Sequence, residues 1–165
     1  MLTAAGLRSA GRTTRPTMGN LADDVRQAVE AMQARALAAE VELHVEAQTS
    51  LSAARDVAAL QLVLRNLLDN AVKWSPPGGT VRVSLADGVL TVDDEGPGIA
   101  EQDLPHVFER FYRSEESRAM PGSGLGLSIV AQAAERHAGR VHAERSPYGG
   151  ARLVLVLPGD ATASA

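Results

Sequence analysis

Val57-Ala-Ala-Leu60-Gln-Leu-Val63-Leu64-Arg-Asn66-Leu67-Leu-Asp-Asn70-Ala71-Val-Lys73-Trp74 is one helical sentence, closed by Ser75-Pro-Pro-Gly-Gly79. At ~100° per residue, Leu60, Val63, Leu64, Leu67 and Ala71 fall on one stripe that must be buried. The Pro-Pro-Gly-Gly run stops the helix. Two β-rich runs follow, Thr80 to Ala86 and Val89 to Asp94, and Asp87-Gly88 between them is a strong hairpin signal. A helix followed directly by a hairpin sets an α+β pattern.

The flanks extend it. Asp24 to Ala39 carries Val25, Val29, Met32, Ala36 and Leu37 at helical spacing, with Asn20 or Asp23 as a cap. Val41 to Ala47 alternates against Glu42, His44 and Glu46 and reads as a strand. Leu125 to Ala138 reads as a helix ended by Gly139, and Val141 to Ser146 with Ala151 to Leu157 as a last hairpin around Gly149-Gly150. The order α-β-α-β-β-loop-α-β-β predicts helices on one face of a mostly antiparallel sheet. Residues 1–20, rich in Ala, Arg, Thr and Gly without periodicity, read as a flexible tail or linker, 21–160 as the domain and 161–165 as a second tail.

The 165 residues are enough for one domain with a proper core, since a chain of about 150 residues buries roughly 68–70% of its unfolded surface. Without cysteine there is no disulfide and no thiolate metal site, which suits a reducing compartment. A net charge of −4 gives no basic footprint for nucleic acid, so a phosphorylated ligand must be held by local groups. No apolar run reaches the ~18 residues of a membrane span.

Scarce residues cluster on the central helix. Lys73 is the single lysine against fifteen arginines, Trp74 the single tryptophan, and Asn66 and Asn70 are two of three asparagines. Asn66, Asn70 and Lys73 lie within about 60° of one another at the edge of the buried stripe, where they form a rim. The plain alternative is two solvated amides and a surface lysine. The functional reading is a side-chain carbonyl oxygen, that of Asn70 in the first place, as a ligand for Mg²⁺, which takes hard oxygens and keeps waters and substrate phosphates. Lys73, one turn on, is a point charge for phosphate.

In Asp93-Asp94-Glu-Gly96-Pro-Gly98-Ile99 a strand ends on an acid followed by spaced glycines. A carboxylate there can accept from an adenine amino group while the glycines let backbone pass near the ring; an Asp-initiated turn is the ordinary alternative. Asp93 and Asp94 compete, and strand alternation points one of them at the pocket. Gly122-Ser123-Gly124-Leu125-Gly126 opens the third helix, where amides and dipole suit an anion, although its spacing is neither that of a lysine-bearing phosphate loop nor that of a dinucleotide fingerprint. Between them, Phe108-Glu-Arg-Phe111-Tyr112-Arg113 holds both phenylalanines, and a polar stretch to Pro121 follows. This reads as a hinged lid, with Arg113 or Arg118 able to reach a terminal phosphate.

These four ordered boxes resemble the ATP-binding catalytic domain of bacterial two-component sensor histidine kinases, in the superfamily that also includes gyrase, mismatch-repair and heat-shock-chaperone ATPases. The likeness runs over roughly residues 21–158. It implies a two-layer α/β sandwich, a mixed five-stranded sheet with three helices and a mobile lid over ATP. It also implies that Asn70 carries Mg²⁺, Asn66 lines the metal and phosphate site, Lys73 and Arg113 touch phosphates, and Asp94 binds adenine. Gly96, Gly98, Ile99, Phe111 and Gly122 to Gly126 fall within its nucleotide-binding boxes. Trp74 stands where the family more often has tyrosine beside adenine, and His137-Ala138-Gly139 departs from its usual His-Gly-Gly.

The hydrolase branches of that superfamily place a glutamate base where this chain has Asn66, and an amide cannot take a proton at neutral pH. Slow hydrolysis is therefore expected, and the resemblance to the kinase branch implies transfer of the γ-phosphoryl to a histidine. The acceptor histidine of the kinases sits on a helical-hairpin dimerisation domain with an acid after it. His44, His106, His137 and His142 are followed by Val, Val, Ala and Val, so the acceptor lies elsewhere. The resemblance implies a cytosolic, monomeric piece of a membrane-anchored homodimeric sensor that passes phosphate to a response regulator. A non-catalytic nucleotide-binding module and an ATP-driven clamp are the alternatives, opposed by the intact boxes and by Asn66 respectively.

Overall fold

A computed structural model describes residues 17–47, 52–113, 126–137 and 139–157. In chain order the elements are β1 (Thr17–Asn20), α1 (Leu21–Ala38), β2 (Glu42–Ala47), β3 (Ser52–Arg55), α2 (Val57–Trp74), β4 (Thr80–Ala86), β5 (Val89–Asp93), α3 (Gly126–Arg136), β6 (Arg140–Arg145) and β7 (Ala151–Val156).

Both long helices start on side-chain caps. The Asn20 carboxamide oxygen accepts from the Ala22 amide at 2.9 Å, and Asp23 and Asp24 sit in the first turn of α1, where negative charge meets the positive end of the helix dipole. Asp56 Oδ1 accepts from the Ala59 amide at 3.1 Å and opens α2. That helix buries Leu60, Val63, Leu64, Leu67, Leu68, Ala71 and Val72, the stripe read from the sequence widened by Leu68 and Val72. It ends at Ser75, whose extended backbone is what a following proline demands. Because α2 carries most of the candidate site, its cap is testable: Asp56→Ala should cost about 1 kcal/mol, visible as a lower melting temperature by circular dichroism.

Five strands form a mixed sheet in the order β2-β4-β5-β7-β6. β2 pairs with β4 in parallel, and the other neighbours are antiparallel. Val81, Val83 and Leu85 on β4, Leu90 and Val92 on β5, and Leu153 and Leu155 on β7 are buried in one core with the apolar faces of the three helices. α2 packs between α1 and α3. The opposite sheet face is polar, with Ser84 and Thr91 sharing a 2.6 Å hydroxyl hydrogen bond. One row across it reads His44, Arg82, Asp93, Arg152, Glu144 in paired register.

The expected sandwich of three helices on a five-stranded sheet is therefore present. Beyond it, β1 and β3 form a two-stranded antiparallel sheet with Thr17 opposite Arg55. Arg55 grips the buried Asp24 of α1 with both arms of its guanidinium, at 2.5 and 3.1 Å, tying the start of α1 to the approach to α2. α3 starts at Gly126, so Leu125, the expected first residue of that helix, lies outside the described residues.

Candidate nucleotide site

The C-terminal half of α2 presents Asn66, Asn70, Lys73 and Trp74, all half-buried, alongside its fully buried residues. Asn66 Nδ2 donates to the Leu62 carbonyl at 2.8 Å, which fixes the amide orientation. Its Oδ1 faces α3: a Cβ built on Gly126 stands 3.2 Å from that oxygen. The first residue of α3 thus sits against the asparagine rim.

Lys73 has its pKa held below the usual lysine value, first by burial and then by the positive charge of Arg113, with Asp69 opposing them. Arg113 therefore lies within electrostatic reach of Lys73. Arg35 of α1 adds a weaker repulsion and is itself ion-paired to Asp69 at 2.9 Å. Two cations converge here on the helix that carries the amides, a charge arrangement suited to an anion.

The loop after β5 closes over the end of α2. A Cβ on Gly96 would stand 2.5 Å from the Trp74 carbonyl oxygen, so only glycine allows the strand exit to pass there. Asp94 is 3% exposed. Its Oδ1 accepts from the Gly96 amide at 2.9 Å and the Ala151 amide at 3.0 Å, and its own amide donates to the Ala151 carbonyl at 3.0 Å. Oδ2 has no partner among the described residues. Burial pushes the Asp94 pKa up, and the two amides pull against that shift. The two adjacent acids have different partners. Asp93 turns to the polar sheet face and spends its carboxylate on Ser146 and Arg152.

Other predicted residues fall as follows. Ile99 packs at the edge of the core and Phe108 beside it, while Phe111 is 62% exposed in a left-handed backbone conformation with the Arg110 guanidinium 5.1 Å from its ring. Asp103 to Tyr112 is a succession of tight turns, held by a hydrogen bond from the Tyr112 hydroxyl to Asp103. Gly122, Ser123, Gly124, Leu125 and Arg118 lie outside the described residues. All four histidines are exposed. A separate cavity of about 100 Å³, bordered by Leu21, Leu60 and Leu155, holds none of the site residues.

The sequence reading missed Gly150, Ala151, Ser146 and Arg152. One signal was available. Of the Gly149-Gly150 pair, only Gly149 needs the left-handed region (φ 102°), and Gly150 is there because any Cβ would collide with Asp94.

Residues 55–161 match the family model for histidine kinase-, DNA gyrase B- and HSP90-like ATPases. The chain belongs to this family. Over 113 residues, 63% of the chain, it is 50% identical to a signal transduction histidine-protein kinase/phosphatase MprB from Mycobacterium sp. (strain KMS). It spans about a fifth of that relative's length, 22%. Among solved structures, a mycobacterial sensor histidine kinase MprB superposes with a TM-score of 0.77 at 35% identity, covering 87% of this chain and 97% of that one. The ATP binding domain of PrrB from Mycobacterium tuberculosis gives 0.70 at 31%, covering 90% and 100%. Within the family the chain is a histidine-kinase ATP-binding catalytic domain. Among the described residues, no helix is long and apolar enough to cross a membrane.

Proposed function

We propose that this domain binds Mg²⁺-ATP between α2, the Asp94 loop and the start of α3, and offers the γ-phosphoryl group to a histidine on a separate helical dimerisation domain. The observation that carries the reading is the state of Asp94: a buried carboxylate with one oxygen saturated by two backbone amides and the other left for a donor. Adenine supplies such a donor in its amino group, and Trp74 stands at the adjoining end of α2. Lys73 and Arg113 then meet phosphates.

The donor set suits magnesium. Asn70, with Asn66 beside it, offers neutral amide oxygens, and no cluster of three or more acids and histidines is present among the described residues to hold a metal without a ligand. Such oxygens fit an ion that shares its coordination with phosphates and water. When bound, that ion supplies charge neutralisation on the phosphates. The protein's own part is to hold the base through Asp94, to align the chain of phosphates through Lys73 and Arg113, and to supply no general base. Positioning and charge are the main resources of phosphoryl transfer.

The wider assignment follows from the same reading. The complete protein is a membrane-anchored homodimeric sensor with this domain in the cytosol as a monomeric unit. Its phosphohistidine donates to a response-regulator aspartate. The relatives named kinase/phosphatase support this place in signalling.

Incubating this chain with γ-labelled ATP should leave it unlabelled. Adding the cognate helical domain should yield an acid-labile phosphohistidine on that domain, at a rate that rises with the concentration of either partner. Label on this chain, or fast release of free phosphate without an acceptor, would overturn the assignment.

A further inference from the structure

Asp94 sits between two acids that point the other way and are each held on the polar face of the sheet. Arg152, the register partner of Asp93, donates from Nε to Asp93 Oδ1 at 2.7 Å and from Nη2 to Oδ2 at 3.0 Å. The Ser146 hydroxyl donates to the same Oδ1 at 2.8 Å. From Ser146 the path returns to the site: its amide donates to the Gly150 carbonyl at 2.8 Å, and the next residue, Ala151, donates its amide to Asp94 Oδ1. On the far side, Glu95 accepts from the Thr80 amide at 2.5 Å and lies 3.8 Å from Arg82. The Arg82 guanidinium sits 4.0 Å over the Tyr148 ring, and the Tyr148 amide donates to Ser146 Oγ at 3.1 Å. The hairpin between β6 and β7 and the loop after β5 are thus laced together at Ser146.

Stability alone does not explain this lattice. Replacing a buried ion pair with well-packed apolar residues is often neutral or favourable, and the neighbouring register pair, Val92 with Leu153, joins the same two strands without charge. What the ion pair adds is direction. A bidentate guanidinium fixes the rotamer of Asp93, and two planar forks leave little freedom in the peptide that follows. Asp94 is that next residue.

We propose that Arg152 and Ser146, acting through Asp93 and the Gly150-Ala151 backbone, are positioning residues that aim Asp94 Oδ2 at the amino group of adenine and so set the preference for ATP over purines without that group. The proposal rests on the assignment of Asp94 to adenine. Neither Arg152 nor Ser146 touches the nucleotide in this arrangement.

The test compares affinities for ATP and for purine riboside 5′-triphosphate, which lacks the 6-amino group, by titration calorimetry on the 165-residue chain. The unaltered chain should prefer ATP by about tenfold or more. Absence of that preference would overturn the Asp94 assignment itself. With the preference established, Arg152→Met should lower it toward one by weakening ATP about tenfold while purine riboside triphosphate binds as before. Ser146→Ala, which leaves the ion pair in place, should lower it by a smaller factor, and Arg152→Lys should restore part of it. Should Arg152→Met not fold, Ser146→Ala decides alone. Equal weakening of both nucleotides, or an undiminished preference in folded variants, would reduce the cluster to a strand tie and overturn the proposal.

Discussion

Asp94→Asn is expected to lower ATP affinity about ten- to a hundredfold while leaving the domain at least as stable at neutral pH. The two amides on Oδ1 are both donors, so the carboxamide must keep its oxygen there and turn its NH₂ into the position of Oδ2. A donor then faces the donor of adenine. Adenosine and ATP should weaken together, whereas Lys73→Ala should weaken ATP and spare adenosine. Equal losses for every ligand in both variants would mean disturbed folding rather than the assigned roles.

The pH dependence of stability has a definite sign. Burial raises the Asp94 pKa, so the native state holds that proton more tightly than the unfolded chain. The resulting stability is fully present below the ordinary aspartate pKa and is lost as pH rises through the raised native value. Asp94→Asn lacks this dependence. Its stability relative to the parent should therefore improve from acid toward neutral pH, which denaturant titration at a series of pH values will show.

Gly150→Ala is expected to cost about 3 kcal/mol, at the upper end of overpacking penalties, and to remove nucleotide binding in whatever remains folded. Its Cβ would lie inside contact distance of both the carbonyl oxygen and Oδ1 of Asp94, and Oδ1 cannot retreat without breaking the Ala151 hydrogen bond. Gly149→Ala is the control. Nothing lies within 4 Å of its Cβ, and only the positive φ opposes the substitution. Thermal melts of the two variants with and without ATP separate packing from backbone preference.

The elements that organise the molecule were legible because each is periodic over enough residues to show. α2 carries its stripe over five turns and ends on Pro-Pro-Gly-Gly, and the β4–β5 hairpin alternates on either side of Asp87-Gly88. β1 and β3 were not legible. Four residues each, Thr-Met-Gly-Asn and Ser-Ala-Ala-Arg, they have no alternation and exist through pairing with each other. In the candidate site, Asn66, Asn70, Lys73 and Trp74 stood out by scarcity, and local sequence placed them on one helix. Which of Asp93 and Asp94 faces inward was not readable, because the answer depends on Arg152 and Ala151, brought opposite by sheet register rather than by neighbourhood in the chain.

That register has a kinetic consequence. The β4–β5 and β6–β7 pairs close over short loops, whereas the Ala151 amide reaches Asp94 across 57 residues. Loop-closure entropy makes such a contact late in folding. The carboxylate acquires its inward aim only when the two hairpins have docked, so a partly folded chain has no base pocket to offer. Nucleotide then acts on the far side of the folding barrier: it should slow unfolding and leave the refolding rate unchanged.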